Sequence, residues 1–171
     1  MSEGKHHEIE RKYLIAVPDA AFLRAQPECA VWEIEQIYLT ALPGCTRRVR
    51  KVTENGQITC YKTFKRRLNA LTAEEDEGVI PREEYDRYVS EESDPAKRPI
   101  LKTRYRIPYE GQLLEFDIYP FWTDRAVLEI ELDSEEQPTY IPDWVKVLKE
   151  VTADYRYKNV CLAQSVPMDD L

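Results

Sequence analysis

Acidic and basic side chains recur at every second position in several short segments of this chain, and that spacing is where its chemistry is to be sought. In an extended strand, residues i and i+2 share a face. By that rule Glu8, Glu10 and Lys12 share a face, as do Arg48 and Arg50, Glu84 and Asp86, Lys102 and Arg104, Glu115 and Asp117, and Glu129 and Glu131. On the last two segments the opposite face is apolar: Leu114, Phe116 and Ile118, then Leu128, Ile130 and Leu132. Carboxylates about 5 Å apart raise one another's pKa unless a cation sits between them. Hard divalent cations such as Mg²⁺ or Mn²⁺ take oxygen ligands, through a few carboxylates plus substrate phosphates. Clustered arginines and lysines recognise phosphate oxygens. Acids for metal and cations for phosphate together describe a metal–polyphosphate site.

The elements that must carry these residues are short. Strands are predicted over 7–15, 33–40, 45–53, 57–65, 82–89, 100–108, 112–120 and 126–133, with turns at Leu42-Pro43-Gly44, Glu54-Asn55-Gly56 and Tyr109-Glu110-Gly111. Asn55-Gly56 is the strongest hairpin signal. Helices are predicted around 19–26 (capped by Asp19), over 142–149, and from Asp154, as N-cap, to about 165. The acidic stretch 67–80 reads as a mobile loop. Two architectures fit. One is an open sheet with a solvated face and cross-strand ion pairs worth about 0.2–1 kcal/mol each. The other is a closed eight-stranded antiparallel β-barrel, a tunnel with the charged face inside and helices covering the apolar outside, in a mainly β, α+β chain.

Composition removes other classes. The 171 residues suit one domain, and no linker divides them. The net charge of −8 sets nucleic-acid binding behind, because such surfaces are basic. The five glycines form neither a dinucleotide fingerprint nor a P-loop, so side chains must hold any phosphate. Cys29, Cys45, Cys60 and Cys161 make no C-x-x-C pair, and the adjacent His6 and His7 read as terminal polar residues, so no zinc site is expected. With no apolar leader and no long apolar run, a cytoplasmic protein with free thiols and no membrane partner is expected.

The order of the charged pairs resembles the CYTH superfamily, the triphosphate tunnel metalloenzymes. Glu8-Ile9-Glu10-Arg11-Lys12 matches its E-x-E-x-K signature, and Gln36-Ile37-Tyr38-Leu39 its Q-x-Y-L strand. Arg48-Val49-Arg50 resembles its R-x-R, Tyr61-Lys62-Thr63 its strand lysine, and Arg82-Glu83-Glu84-Tyr85-Asp86 its R-x-E-x-E, with Asp86 in place of the usual glutamate. Lys102-Thr103-Arg104-Tyr105, Glu115-Phe116-Asp117 and Glu129-Ile130-Glu131 follow in order, and 150–159 resembles E-V-T-x-D-x-R-Y-x-N. The likeness spans residues 7–163.

That resemblance implies a tunnel that hydrolyses inorganic tripolyphosphate or a related triphosphate with Mg²⁺ or Mn²⁺, expected as two ions. It assigns Lys12, Arg48, Arg50, Lys62, Lys102 and Arg104 to phosphate. Glu8, Glu10, Glu84, Asp117, Glu129 and Glu131 would hold metal, with Glu10, Glu129 and Glu131 catalytic. Tyr38 would face the bore, while Arg125 and Arg156 stay unassigned. These six cations, set against those acids with Asp86 and Glu115, leave two negative charges, so the bare site should repel a triphosphate and activity should need metal. An adenylate cyclase, a thiamine triphosphatase and a non-catalytic polyphosphate-binding module are the alternatives. The partner is a small-molecule triphosphate, in a monomer or homodimer.

Overall fold

A computed structural model describes residues 4–171, with side chains from residue 6 onward. Nine strands form: β1 (Gly4–Ile15), β2 (Ala30–Leu39), β3 (Cys45–Glu54), β4 (Gln57–Arg67), β5 (Thr72–Ile80), β6 (Ile100–Tyr109), β7 (Gln112–Ile118), β8 (Ala126–Glu131) and β9 (Val147–Glu150). They hydrogen-bond in the order β5-β4-β3-β2-β6-β7-β8-β1, all antiparallel, and a further β5–β1 pairing closes the ring. The result is an eight-stranded barrel, with β9 added to the end of β1. Closure removes every unpaired edge from the eight, so the closed alternative holds over the open sheet.

Local chemistry accounts for the tight connections. Asn55-Gly56 and Glu110-Gly111 each adopt two consecutive positive φ angles, which two-residue hairpins between right-twisting strands require. Asp19 caps the short α1 (Ala20–Arg24) by accepting from the Ala21 N–H. Leu23 of α1 packs with Tyr13, Phe116, Leu128 and Ile130 on the barrel's outer wall, and Trp144 stacks on Phe116 at 5.6 Å. These outward side chains are the apolar faces read from the sequence.

Several elements differ from expectation. Residues 82–89 lie in a helix, α2 (Arg82–Glu92), which follows Pro81. Its Tyr85 and Tyr88, three apart and therefore on one helical face, pack with Ile37, Leu39, Val49 and Cys60 outside the barrel. The eighth strand is instead β5, inside the stretch read as a loop; its residues pair with both β1 and β4. Near the C-terminus, 142–149 forms no helix, and its end enters β9. After Asp154, which does cap by accepting from the Arg156 N–H, come one 3₁₀ turn (Tyr155–Tyr157) and α3 (Asn159–Leu162). This C-terminal cap places Tyr157, Leu162 and Ala163 against Leu14, Ile100, Tyr119 and Val127, an apolar cluster where the strands' inner positions turn from charged to apolar. Among the described residues no helix is long and apolar enough to cross a membrane.

Candidate active site

Strand register stacks the charged side chains into layers inside the barrel. Cross-strand neighbours include Glu10 with Glu131 and Lys12 with Glu129 across β1 and β8, Arg104 with Asp117 across β6 and β7, and Glu115 with Glu129 across β7 and β8. Lys12, Lys102, Glu115 and Asp117 are at most 4% exposed. Charges this deep must be paired or must await a ligand.

One wall is paired. Asp117 accepts from Lys102 Nζ at 2.8 Å and from Arg104 Nε and Nη2 at 2.7 and 2.8 Å. Arg104 also donates to Glu115 (3.1 Å) and Glu129 (3.2 Å), and Lys12 Nζ lies 3.2 Å from Glu129 Oε1. Burial would raise the Glu129 carboxyl, but Lys12, Arg104 and Lys102 hold it well below the usual range. Asp117, likewise opposed by burial, is kept low by Arg104 and Lys102. Burial lowers Lys102 to about 8, although Asp117 pulls the other way.

The facing wall is open. Arg48 is 9% exposed, and its Nε has no hydrogen-bond partner among the described residues; nor does any carboxylate lie within ion-pair distance of its guanidinium. Arg50 has one carboxylate contact, to Glu77 at 3.3 Å, and an unpartnered Nε. Arg48 lines both a polar cavity of about 130 Å³ in the tunnel and an adjoining chamber of about 340 Å³ beside the cap. Gln36 donates to the Tyr38 hydroxyl at 2.7 Å, and Tyr38 lines that chamber.

Several sequence expectations need correction. Lys62 points outward and donates to Tyr88 on α2 at 3.1 Å, because the inward parity of β4 belongs to Thr63, Lys65 and Arg67. Lys65 takes the inner position, 2.7 Å from Glu8 and 3.3 Å from Glu75. Glu84 and Asp86 ride on α2 outside the barrel, where Asp86 pairs with Arg82. Their inward places belong to Glu75 and Glu77 of β5; Glu77 accepts from Thr63 at 2.7 Å. The shared parity of Lys65 with Arg67 and of Glu75 with Glu77 was the available signal. Arg125 is buried outside the tunnel with Asp124 and the Asp169 carbonyl, and Arg156 pairs with Asp154 and Asp169. The charge balance changes accordingly. Lys12, Arg48, Arg50, Lys65, Arg67, Lys102, Arg104, Arg106 and Lys158 face Glu8, Glu10, Glu75, Glu77, Glu115, Asp117, Glu129 and Glu131, one positive charge in excess. The bare tunnel therefore does not repel an anion on balance.

The case for a divalent cation lies in local geometry instead. Glu10 and Glu131 are register partners, and neither forms an ion pair with lysine or arginine among the described residues. Burial, then Glu129 and Glu8, raise the Glu10 carboxyl to about 8. Glu131 opens to solvent at the tunnel mouth, yet burial of its inner part, then Glu115 and Glu8, raise it to about 7. Glu8 behaves oppositely: burial would raise it, but Lys65 holds it down to about 2. Two oxygen donors made reluctant to ionise by each other's neighbours fit a hard cation. Among the described residues no three acidic, histidine or cysteine side chains cluster tightly enough to bind metal alone, so a cation there would need phosphate and water oxygens to fill its shell.

Other proteins are similar to this chain in sequence or fold. No protein-family model matches the chain. An inorganic triphosphatase from Nitrosomonas europaea is 33% identical over 171 residues, covering 94% of this chain and 99% of that protein. A solved inorganic triphosphatase superposes with a TM-score of 0.57 at 30% identity, over 94% of this chain and 96% of the other. Two remoter structures share the fold. One is a Pyrococcus horikoshii protein (TM-score 0.58, 20% identity, 75% of this chain and 80% of that one). The other is a putative adenylyl cyclase from Hippeastrum described as having dominant triphosphatase activity (TM-score 0.52, 17% identity, 74% and 80%).

Proposed function

The chain belongs to the CYTH superfamily of triphosphate tunnel metalloenzymes, and from that premise we propose that it hydrolyses inorganic tripolyphosphate to pyrophosphate and orthophosphate with the aid of Mg²⁺ or Mn²⁺. The observation that carries the reading is Arg48, a deeply buried guanidinium with no carboxylate within ion-pair distance, which lines both the tunnel cavity and the adjoining chamber. An unpaired buried cation is costly unless an anion meets it.

Phosphoryl transfer asks the protein for charge neutralisation and alignment more than for covalent chemistry. Arg48 and Arg50 bind non-bridging oxygens from the β3 side. Lys102 and Arg104, held in place by Asp117, form the fixed, internally paired wall opposite. Glu10 and Glu131 would hold the divalent cation, with Glu8 and Glu129 beside them. When bound, that cation supplies positive charge to the oxygens on which negative charge develops. A Glu131 oxygen left free by the cation, at the solvent-facing end of the tunnel, would accept the proton of the attacking water. Asp117, wholly engaged by two cations, serves to position them rather than to bind metal.

The test is product identification. Purified protein is incubated with tripolyphosphate, ATP and thiamine triphosphate, each with Mg²⁺, Mn²⁺ or chelator. Metal-dependent orthophosphate release, fastest from tripolyphosphate, is the expected outcome. Cyclic AMP from ATP, preference for thiamine triphosphate, or binding without turnover would each overturn it.

A further inference from the structure

Gln36 of β2 is a buried polar side chain that reaches neither cavity. It shares strand parity with Tyr38, is fully buried, and lines neither the tunnel nor the chamber beside the cap. Its amide is tied at one end only. Nε2 donates to the Tyr38 hydroxyl at 2.7 Å, while Oε1 has no hydrogen-bond partner among the described residues. A buried amide oxygen without a donor is costly, so the donors within its reach matter.

Strand register identifies them. Gln36 stands opposite Arg50 across β2 and β3, and opposite Ile100 across β2 and β6. Ile100 offers no donor, whereas Arg50 carries a buried Nε that also lacks a partner. An orphaned acceptor and an orphaned donor therefore occupy facing positions, where Cβ atoms lie about 4.5–5.5 Å apart. Arg48, with its own unpartnered Nε, is the register partner of Tyr38 and so sits on the more distant diagonal. The Arg50 guanidinium is otherwise loosely held, by one contact from Nη2 to Glu77 at 3.3 Å and by the Tyr61 ring at 5.7 Å. A side-chain rotation or one bridging water joins its Nε to the Gln36 oxygen. That bond would fix the guanidinium plane and leave the terminal nitrogens for the cavity that Arg50 lines. The Tyr38 contact leaves the amide oxygen free for this purpose; the reverse amide orientation would set two donors there and no acceptor.

We propose that Gln36 is a positioning residue, whose side-chain oxygen accepts from Arg50 Nε and aims the guanidinium at a substrate phosphate that Gln36 itself does not touch. The inference rests on the phosphate role of Arg50 given above and adds the group that orients it.

A double-substitution cycle tests this on the full chain. It is read as KM for tripolyphosphate with Mg²⁺ and as calorimetric affinity for inorganic pyrophosphate with Mg²⁺, which needs no turnover. Gln36→Met, similar in volume but lacking the amide, should raise KM and weaken pyrophosphate binding about tenfold, the worth of a hydrogen bond to a charged group, and lower kcat less than about threefold. A packing role alone would lower the active fraction, and with it kcat, at unchanged KM. Lysine offers no equivalent of the arginine Nε–H, so in an Arg50→Lys background Gln36→Met should shift KM by less than about twofold. In an Arg48→Lys background the effect should remain about tenfold. Should Gln36→Met lose its native ellipticity, Gln36→Asn, which draws the acceptor back by one methylene, carries the same expectations. Wild-type KM in the Gln36 variant, its full effect persisting in Arg50→Lys, or its loss in Arg48→Lys instead would overturn the positioning role. Hydrolysis without this coupling would refute the positioning role alone. Coupled pyrophosphate binding without hydrolysis would refute the enzymatic reading and leave the positioning role standing.

Discussion

The two walls of the tunnel use the same residue types for opposite ends. On the wall built by β6, β7 and β8, Lys102 and Arg104 are tied to Asp117, Glu115 and Glu129 through a closed set of ion pairs. On the wall built by β3 and β4, Arg48 has no carboxylate partner, and Arg50 and Arg67 keep unpartnered nitrogens. A buried charge with its counter-ion in place supports the fold, because removing the partner strands it. One with no carboxylate at ion-pair distance still has hydrogen-bonding capacity to offer a ligand. Cations that look equivalent in the sequence are thus divided by their partners into framework and receptor.

The strongest way to break this comparison is Asp117→Ala. It would strand Lys102 and most of Arg104 in the interior, and denaturant unfolding should show a loss of about 3–5 kcal/mol. Arg48→Met should do the reverse. Its kcat/KM for tripolyphosphate should fall roughly 10–100-fold, while its unfolding free energy should fall by less than that of Asp117→Ala, since Glu75, Glu77 and Glu8 act on its guanidinium only from beyond ion-pair distance. Equal destabilisation by both substitutions would dissolve the distinction.

A third test uses pH. The Glu10 carboxyl stands at about 8 in the folded protein against a usual 4.5. Its favourable contribution is full below pH 4.5 and is lost as pH climbs through 8. In chelator, Glu10→Gln should therefore melt at least about 2 °C above wild type at pH 8.5, with the gap closing toward pH 4.5. Added Mg²⁺ should shrink the gap at high pH by stabilising the wild type. The smallest effects are expected outside the barrel. Lys62→Met and Glu84→Gln should alter kcat/KM by less than about twofold, whereas Lys65→Met, which removes the partner of Glu8, should lower it about tenfold.

Where strand alternation coincided with chemistry, the sequence was sufficient. Glu129-x-Glu131 faces inward as read because the other face of its strand is apolar, and Glu8-x-Glu10-x-Lys12 and Arg48-x-Arg50 do so too, although Arg11, Arg47 and Lys51 carry charge on the outer faces. In β4 that reasoning lost its grip. Cations stand on both faces, with Lys62 and Arg66 outside and Lys65 and Arg67 inside, so charge alone could not choose the parity. In β5 the run Glu74-Glu75-Asp76-Glu77 carries residues that isolated strands disfavour. It is extended because Lys65 and Arg50 meet its inner carboxylates and two neighbouring strands take its backbone bonds. The helical spacing of Tyr85, Tyr88 and Val89 behind Pro81 was visible, but Glu84 and Asp86 fitted a strand pattern equally well.

By itself the sequence determined a β-rich chain whose inward charges suit a polyanion with divalent metal, since period-two alternation is local and survives without knowledge of neighbours. Only the tertiary structure decided which strand closes the ring, which cations are already neutralised, and that Lys158 of the cap joins them. Those outcomes depend on ion pairs and register between segments far apart along the chain, and no local pattern encodes the distance at which two charges will meet.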